Sequence, residues 1–301
     1  MKDSAHVLPR SVSHTAASAR DYFALTKPRI SLMVTLTGAV GFFMGSRGAL
    51  PPLGLLHVIV GTALVSGAAN ALNQILERTP DARMRRTAGR PLPSRRLTPA
   101  GAASFATVLG VGGTLYCAAF LNQLTAAIAL ATLLSYAFVY TPLKRRTALN
   151  TIVGAVPGAL PPLGGWAAAT GTVDAGALAL FSIVFLWQIP HFLSIAWLLR
   201  EEYARAGFRM LPVNDPRGMR TGLTMAAFAL VLVPVSAVPS WLGVTGRLYL
   251  LAAVGFSLVY AAASLRAAIR LDAVSNRWVF VVSLLYLPAL LVAMVVDKFP
   301  G

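Results

Sequence analysis

The sequence has little charge and almost no sulfur chemistry. Only 12% of its 301 residues are Asp, Glu, Lys or Arg, about half the share usual for a soluble domain. One cysteine, Cys117, excludes an internal disulfide and a cysteine-built metal site, and it reads as a small buried hydrophobe. The first 26 residues are polar and hold no apolar stretch ahead of a cleavage site, so no secretory signal peptide is expected. There is no short-period repeat and no loop long enough to fold as a soluble domain. Residues 1–27 are expected to be a disordered tail, and 28–301 a single intramembrane domain.

What the chain does have is apolar length. Hydrophobic residues make up 56% of it, and a helix needs roughly 20 of them in a row to cross the hydrocarbon core. Nine segments qualify, near 28–47, 53–76, 101–121, 123–141, 148–168, 175–199, 221–241, 247–269 and 277–296. Barrel strands would instead show ten-residue pieces of alternating polarity, so the expectation is an all-α, polytopic membrane bundle of nine transmembrane helices.

The net charge of +16 does not indicate a nucleic-acid partner, because its distribution follows topology. If the nine helices alternate across a bilayer, 23 of the 26 Lys and Arg residues fall on one side, leaving Arg47, Arg247 and Lys298 on the other. The positive-inside rule makes the rich side cytoplasmic, with the N-terminus inside and the C-terminus outside. Eight of the ten acidic residues share the rich side. Acidic residues contribute little to orientation, so something else placed them there.

The stretch "NALNQILERTPDARMRRTAGRPLP" ends the second segment. Asn73 and Glu77 are four apart and share a helical face. Pro80 disfavours continuing the helix and leaves Asp81 just beyond its end. Three oxygen-bearing side chains at a membrane boundary suit a hard cation such as Mg²⁺, which prefers phosphate oxygens for the rest of its shell. The guanidinium forks that follow, Arg86 and Arg90 among them, suit phosphate. The bland alternative is a solvated loop whose acids pair with arginines. A second block, "REEYARAGFRMLP", repeats the pattern after the sixth segment and suggests a pseudo-repeat. "YTPLKRRTALN" between them offers Lys144 and Arg145 as further phosphate donors.

These segments, with "NTIVGAVPGALPPLGGWAA" and "WQIPHF", resemble the protohaem IX farnesyltransferase branch of the UbiA-type intramembrane prenyltransferase superfamily. The resemblance runs from about Thr26 to the last helix. It implies a bundle enclosing a cytoplasm-facing cavity that opens sideways into lipid, in a bacterial inner membrane. The superfamily's NxxxDxxxD motif becomes Asn73, Glu77 and Asp81, the metal and catalytic set. Its second motif, often DxxxD, retains Glu202 as a catalytic acid but has Ala206 at the second position, which leaves a second Mg²⁺ site in doubt. The implied diphosphate binders are Arg86, Arg90, Lys144 and Arg145.

The implied substrates are farnesyl diphosphate and protohaem IX, with Mg²⁺ as cofactor, haem O and pyrophosphate as products, and hand-over of product to a haem A synthase. His191 in "WQIPHF" is an ionisable group inside an apolar segment. It is assigned to haem binding, as a ligand of the iron or by directing water to the cation formed on the porphyrin side; the alternative is a hydrogen bond to backbone freed by Pro190. Trp166, Trp187 and Phe192 are candidates to line the substrate cavity. Pro157, Pro161 and Pro162 predict a kinked fifth helix beside it. Two competing readings remain, a prenyltransferase for a quinone or chlorophyll precursor and a transporter, which would place its polar site at the midplane.

Overall fold

The computed structural model describes residues 18–48 and 50–299. A short α1 (Ala19–Leu25) leads into α2 (Pro28–Gly45) and α3 (Pro52–Leu76), which is followed by the single turn α4 (Arg78–Asp81). Then come α5 (Pro99–Phe120) and α6 (Gln123–Leu134), which runs through a π turn over Ser135–Tyr140 into α7 (Thr141–Leu143). The chain continues as α8 (Asn150–Thr170), α9 (Ala175–Leu198), the short α10 (Arg200–Arg205), α11 (Met219–Trp241), α12 (Arg247–Arg270) and α13 (Ala273–Val296). Among the described residues nine spans are long and apolar enough to cross a membrane, and they coincide with the nine expected segments to within a few residues.

Polar side chains set the boundaries. Asn122 separates α5 from α6 by accepting the Thr125 N–H at 2.8 Å, Asp174 opens α9 through Ala177, and Asp272 opens α13 through Ser275. Each satisfies an amide that the first helical turn leaves free.

The long helices pack as a ring in which α2 meets α3 and α8, α8 meets α9, and α13 returns to α2. The tightest seam joins α2 and α8: a Cβ on Gly165 would overlap the carbonyl of Gly38, and one on Gly41 that of Pro162. Helix α8 runs unbroken through Pro157, Pro161 and Pro162. Beyond α13, the Lys298 ammonium donates to the carbonyls of Phe43 and Ser46 at the C-terminus of α2, which ties the ring shut on the face away from the basic loops.

Part of the expected disordered tail is folded. Ser18 caps α1, Leu25 is fully buried beside Ala71, Leu92 and Leu97, and Asp21 pairs with Arg96 at 2.8 Å. The apolar residues Tyr22 and Leu25, one turn apart, give α1 a face to bury. Residues 1–17 lie outside the described residues.

Candidate functional site

Helix α3 ends at Glu77, whose φ of −96° and ψ of 7° break the α-helical run before Pro80 is reached. Pro80 then sits inside the single turn of α4, where a missing amide hydrogen costs little. The break is echoed at Leu199, with φ −112° and ψ 17°, ahead of α10. Both acidic blocks therefore follow the same device, a long helix that stops and restarts as a short one.

The first block forms one compact site with three cations from three different segments. Lys27 donates to Asn73 Oδ1 at 2.7 Å, Lys144 Nζ lies 2.8 Å from Glu77 Oε1, and Arg90 donates to Asp81 Oδ2 at 2.6 Å. Asn73, Glu77 and Asp81 are all buried. The orientation of Asn73 is fixed by a relay. The Thr141 hydroxyl gives its hydrogen to the Tyr136 carbonyl, so it must accept from Asn73 Nδ2, which turns Oδ1 into the site. Pro142 lacks the N–H that an α-helical ladder needs, and the chain adopts the wider π turn just before it, as often happens at functional sites.

The electrostatics follow from enclosure. Burial pushes the Asp81 carboxyl above its ordinary value, against the pull of Arg90. Burial pulls down the Lys144 ammonium, but Glu77 with the Tyr140 and Tyr136 hydroxyls outweighs it and holds Lys144 well above its ordinary value. Burial, with repulsion from Arg90 and Lys144, brings Lys27 down to about 7.

The donor set fits a divalent cation. Asp81 Oδ1 is buried without a hydrogen-bond partner, and Asn73 Oδ1 is met only by Lys27. An oxygen left unpaired in such a place is costly unless a ligand takes it. Among the described residues no three His, Cys, Asp or Glu side chains gather as a metal cluster.

Of the other sequence candidates, Arg86 and Arg145 are exposed. Glu202 is half-buried with Oε2 enclosed and unpartnered, whereas Glu201 is exposed. Ala206 is buried among Met84, Phe208 and Met210, an apolar cluster with no place for a second carboxylate.

His191 lies deeper in α9. The Ser283 hydroxyl donates to the Phe280 carbonyl at 2.6 Å, so its 2.7 Å contact with His191 Nδ1 requires the histidine to donate. The ring is thereby held as the Nδ1–H tautomer with a lone pair on Nε2. The partner is a serine on α13, not backbone freed by Pro190. Trp187 and Phe280 stack on the ring at 5.0 and 5.5 Å between centroids, and Phe192 meets it edge-on.

An apolar cavity runs beside α8. Asn70 and Tyr136 line one end, near the motif, while Cys117, Leu121 and Thr125 line the other. Trp166, Trp187 and Phe192 are not among its walls, and Trp166 is packed in the core against Gly176.

Sequence reasoning missed Lys27, Thr141 and Ser283. Lys27 reads as topology charge in the sequence, and the left-handed backbone that turns it toward Asn73 has no local signal. Thr141 and Ser283 carry no local signal, since each acts through a partner far away in the chain.

Carboxylates and cations at the loop end of α3, beside an apolar cavity in a bundle of membrane-length helices, define a polytopic helical membrane protein with an enclosed charged site. The chain belongs to the UbiA prenyltransferase family, which it matches over residues 31–294. It is 45% identical over 291 residues to the protoheme IX farnesyltransferase of Solibacter usitatus (strain Ellin6076), covering 94% of this chain and 99% of that one. Two solved structures share the fold. One comes from work on digeranylgeranylglyceryl phosphate synthase, with TM-score 0.79, 18% identity and coverage of 92% and 97% of the two chains. The other is a UbiA homolog from Archaeoglobus fulgidus bound to DMAPP and Mg²⁺, with TM-score 0.68, 16% identity and coverage of 91% and 99%.

Proposed function

We propose that this protein transfers the farnesyl group of farnesyl diphosphate to a vinyl group of protohaem IX, with addition of water, giving haem O and pyrophosphate. The observation that carries this reading is the joining of an anion site to an apolar cavity along one helix: Asn70 lines the cavity and Asn73, one turn on, belongs to the motif. The near full-length similarity to the Solibacter protein supports the choice of substrates.

The allylic carbon to oxygen bond breaks heterolytically, and the leaving diphosphate must be stabilised as charge develops on it. Mg²⁺, held by Asn73 Oδ1, Glu77 and Asp81, would supply positive charge to that leaving group. Arg90 and Lys144 stand on the same carboxylates and donate to phosphate oxygens. Arg86 and Arg145, both exposed, contribute to the field that draws the anion in. The apolar walls receive the isoprenoid and keep water from the allylic cation. The terminal carbon of the haem vinyl group then bonds to the farnesyl carbon, and water adds to the cation left on the porphyrin side, releasing a proton to solvent. His191, with Nε2 free, binds the haem iron. Glu202 acts at the edge of the site, without a second complete metal set.

The basic loops face the cytoplasm, so the site opens there, in a bacterial inner membrane. A transporter would need its polar site at the midplane, whereas the motif lies at the loop end of α3. The deciding experiment is incubation of membranes with haem B, farnesyl diphosphate and Mg²⁺, followed by mass analysis. Haem O is expected; its absence, with another prenylated acceptor formed from a quinone precursor, would overturn the assignment.

A further inference from the structure

Lys27 is held more elaborately than a topology charge requires. Its φ is 47°, a left-handed conformation that is strained for a side-chain-bearing residue and persists only where neighbours enforce it. The neighbours are visible. Gln74 Nε2 donates to the carbonyls of Leu25 at 2.9 Å and Ala24 at 3.4 Å, and Asn70 Nδ2 donates to that of Thr26 at 3.3 Å. Ser31 also donates to the Thr26 carbonyl, at 2.6 Å. Asn70, Asn73, Gln74 and Glu77 occupy one face of α3 at spacings of three and four. Two of them clamp the end of α1 and two belong to the motif, so a single helical face sets the position of Lys27 relative to the site.

The partner that Lys27 has is a poor one. Lys27 donates to the neutral amide oxygen of Asn73, while Lys144 and Arg90 each pair with one oxygen of a carboxylate. Asn73 Oδ1 is also the oxygen that the metal needs. A metal ion arriving alone must displace Lys27 from Asn73 Oδ1 and adds its charge to an enclosed site that already holds Lys144 and Arg90, which is costly. A diphosphate arriving with it offers each of them an anionic oxygen.

We propose that Lys27 is a diphosphate-binding residue, positioned by Asn70 and Gln74, that leaves Asn73 Oδ1 for a phosphate oxygen as the metal ion takes its place. Metal and diphosphate therefore bind as a coupled pair, each tightening the other by the same factor. This rests on the reading of the site as one for Mg²⁺ and a diphosphate.

The test uses the full-length protein, Mn²⁺ as a spectroscopic substitute for Mg²⁺, and inorganic pyrophosphate. Bound Mn²⁺ is counted by electron paramagnetic resonance after equilibrium dialysis against matched free Mn²⁺, with and without pyrophosphate. The wild type should bind Mn²⁺ at least about tenfold more tightly with pyrophosphate, within the usual range of coupling between sites. Lys27→Met should bind Mn²⁺ alone as well as or better than wild type and lose most of the enhancement. Lys27→Arg should restore it. Lys27→Gln, which can still donate to Asn73 and so guards against a folding artefact, should lose it as Lys27→Met does. Gln74→Leu, which keeps the lysine but frees its support, should lose part of it. Wild-type coupling in Lys27→Met and Lys27→Gln overturns the inference while the site reading stands. No Mn²⁺ or pyrophosphate binding by the wild type overturns both.

Discussion

The backbone N–H of Arg209 donates to the carbonyl of Lys144 at 2.6 Å, so the loop after α10 fixes a lysine that faces the other acidic block. Asn150 completes the tie by donating to the Arg209 carbonyl at 3.1 Å. Phe208, next in line, lies 5.9 Å from the Lys144 ammonium and packs on Met84 from the first loop. Three basic loops that alternate with membrane spans are thus one packed unit, and the backbone of the lysine that pairs with Glu77 is tied to residues of the second block.

That relationship predicts the effect of Phe208→Ala. Removing a buried phenyl ring costs about 3–5 kcal/mol where the site cannot collapse, and here it also frees Lys144. The variant should lose thermal stability and raise KM for farnesyl diphosphate several-fold, more than it lowers kcat. Phe208→Leu should recover most of both. A Phe208→Ala protein with unchanged KM would show that the second block does not position Lys144.

The motif residues should behave differently from such supports. Asp81→Ala and Asn73→Ala are expected to lower turnover by roughly 10² to 10³, the scale of one lost transition-state contact, while the protein still inserts and purifies. Glu77→Asp should keep much of the activity, because water can bridge a hard cation to a shortened carboxylate, whereas Glu77→Gln should lose most of it together with the charge. Steady-state rates at saturating Mg²⁺ decide this. Near-normal turnover in both alanine variants rules out a catalytic role for the metal.

How much of this was legible beforehand depends on the range of the interaction. The nine spans follow from runs of apolar residues, and their ends from local caps such as Asn122 and Asp272, so both could be read along the chain. Asn73, Glu77 and Asp81 were legible because helical periodicity brings them together. Their cations were only half legible. Arg90 and Lys144 stood out as basic residues near the motif, but Lys27 looked like topology charge, since its role depends on a left-handed backbone and on amides of α3. The folded α1 was missed because a seven-residue helix has no stability of its own and forms only against Leu92, Leu97 and Ala71. His191 could be flagged from the rarity of ionisable groups in apolar segments, yet its tautomer depends on Ser283, on a different helix.

Ser283 supplies the next prediction. If His191 binds haem iron through Nε2, the Nδ1–H contact to Ser283 orients the ring and fixes its tautomer, and loss of such a partner commonly weakens metal affinity 10- to 100-fold. Titration of ferric haem into the purified protein, followed by optical and electron paramagnetic resonance spectra, should show a histidine-ligated signature in the wild type and none in His191→Ala. Ser283→Ala should keep the fold but bind haem more weakly with a shifted spectrum, and Ser283→Thr should restore it. An unchanged spectrum and affinity in Ser283→Ala would mean that the serine serves only packing.

The two adjacent glutamates of α10 give the sharpest contrast. Glu201 is exposed, while Glu202 is half-buried with Oε2 enclosed and unpartnered. An exposed carboxylate beside arginines contributes little, since water screens it, so Glu201→Gln should leave rate and stability near wild type. An enclosed carboxylate oxygen without a hydrogen bond costs stability, which makes sense for a group kept to meet a ligand. Glu202→Gln should therefore lower kcat clearly, raise the Mg²⁺ concentration for half-maximal rate, and leave thermal stability unchanged or slightly improved. Ala206→Asp, which would complete the acid spacing of the second motif, should not raise activity, because the new carboxylate would be buried among Met84, Phe208 and Met210 and would destabilise the loops instead. The measurement is activity against Mg²⁺ concentration for all three variants beside their melting temperatures. Equal losses in Glu201→Gln and Glu202→Gln, or a gain in Ala206→Asp, would move the acid of the second block to another position.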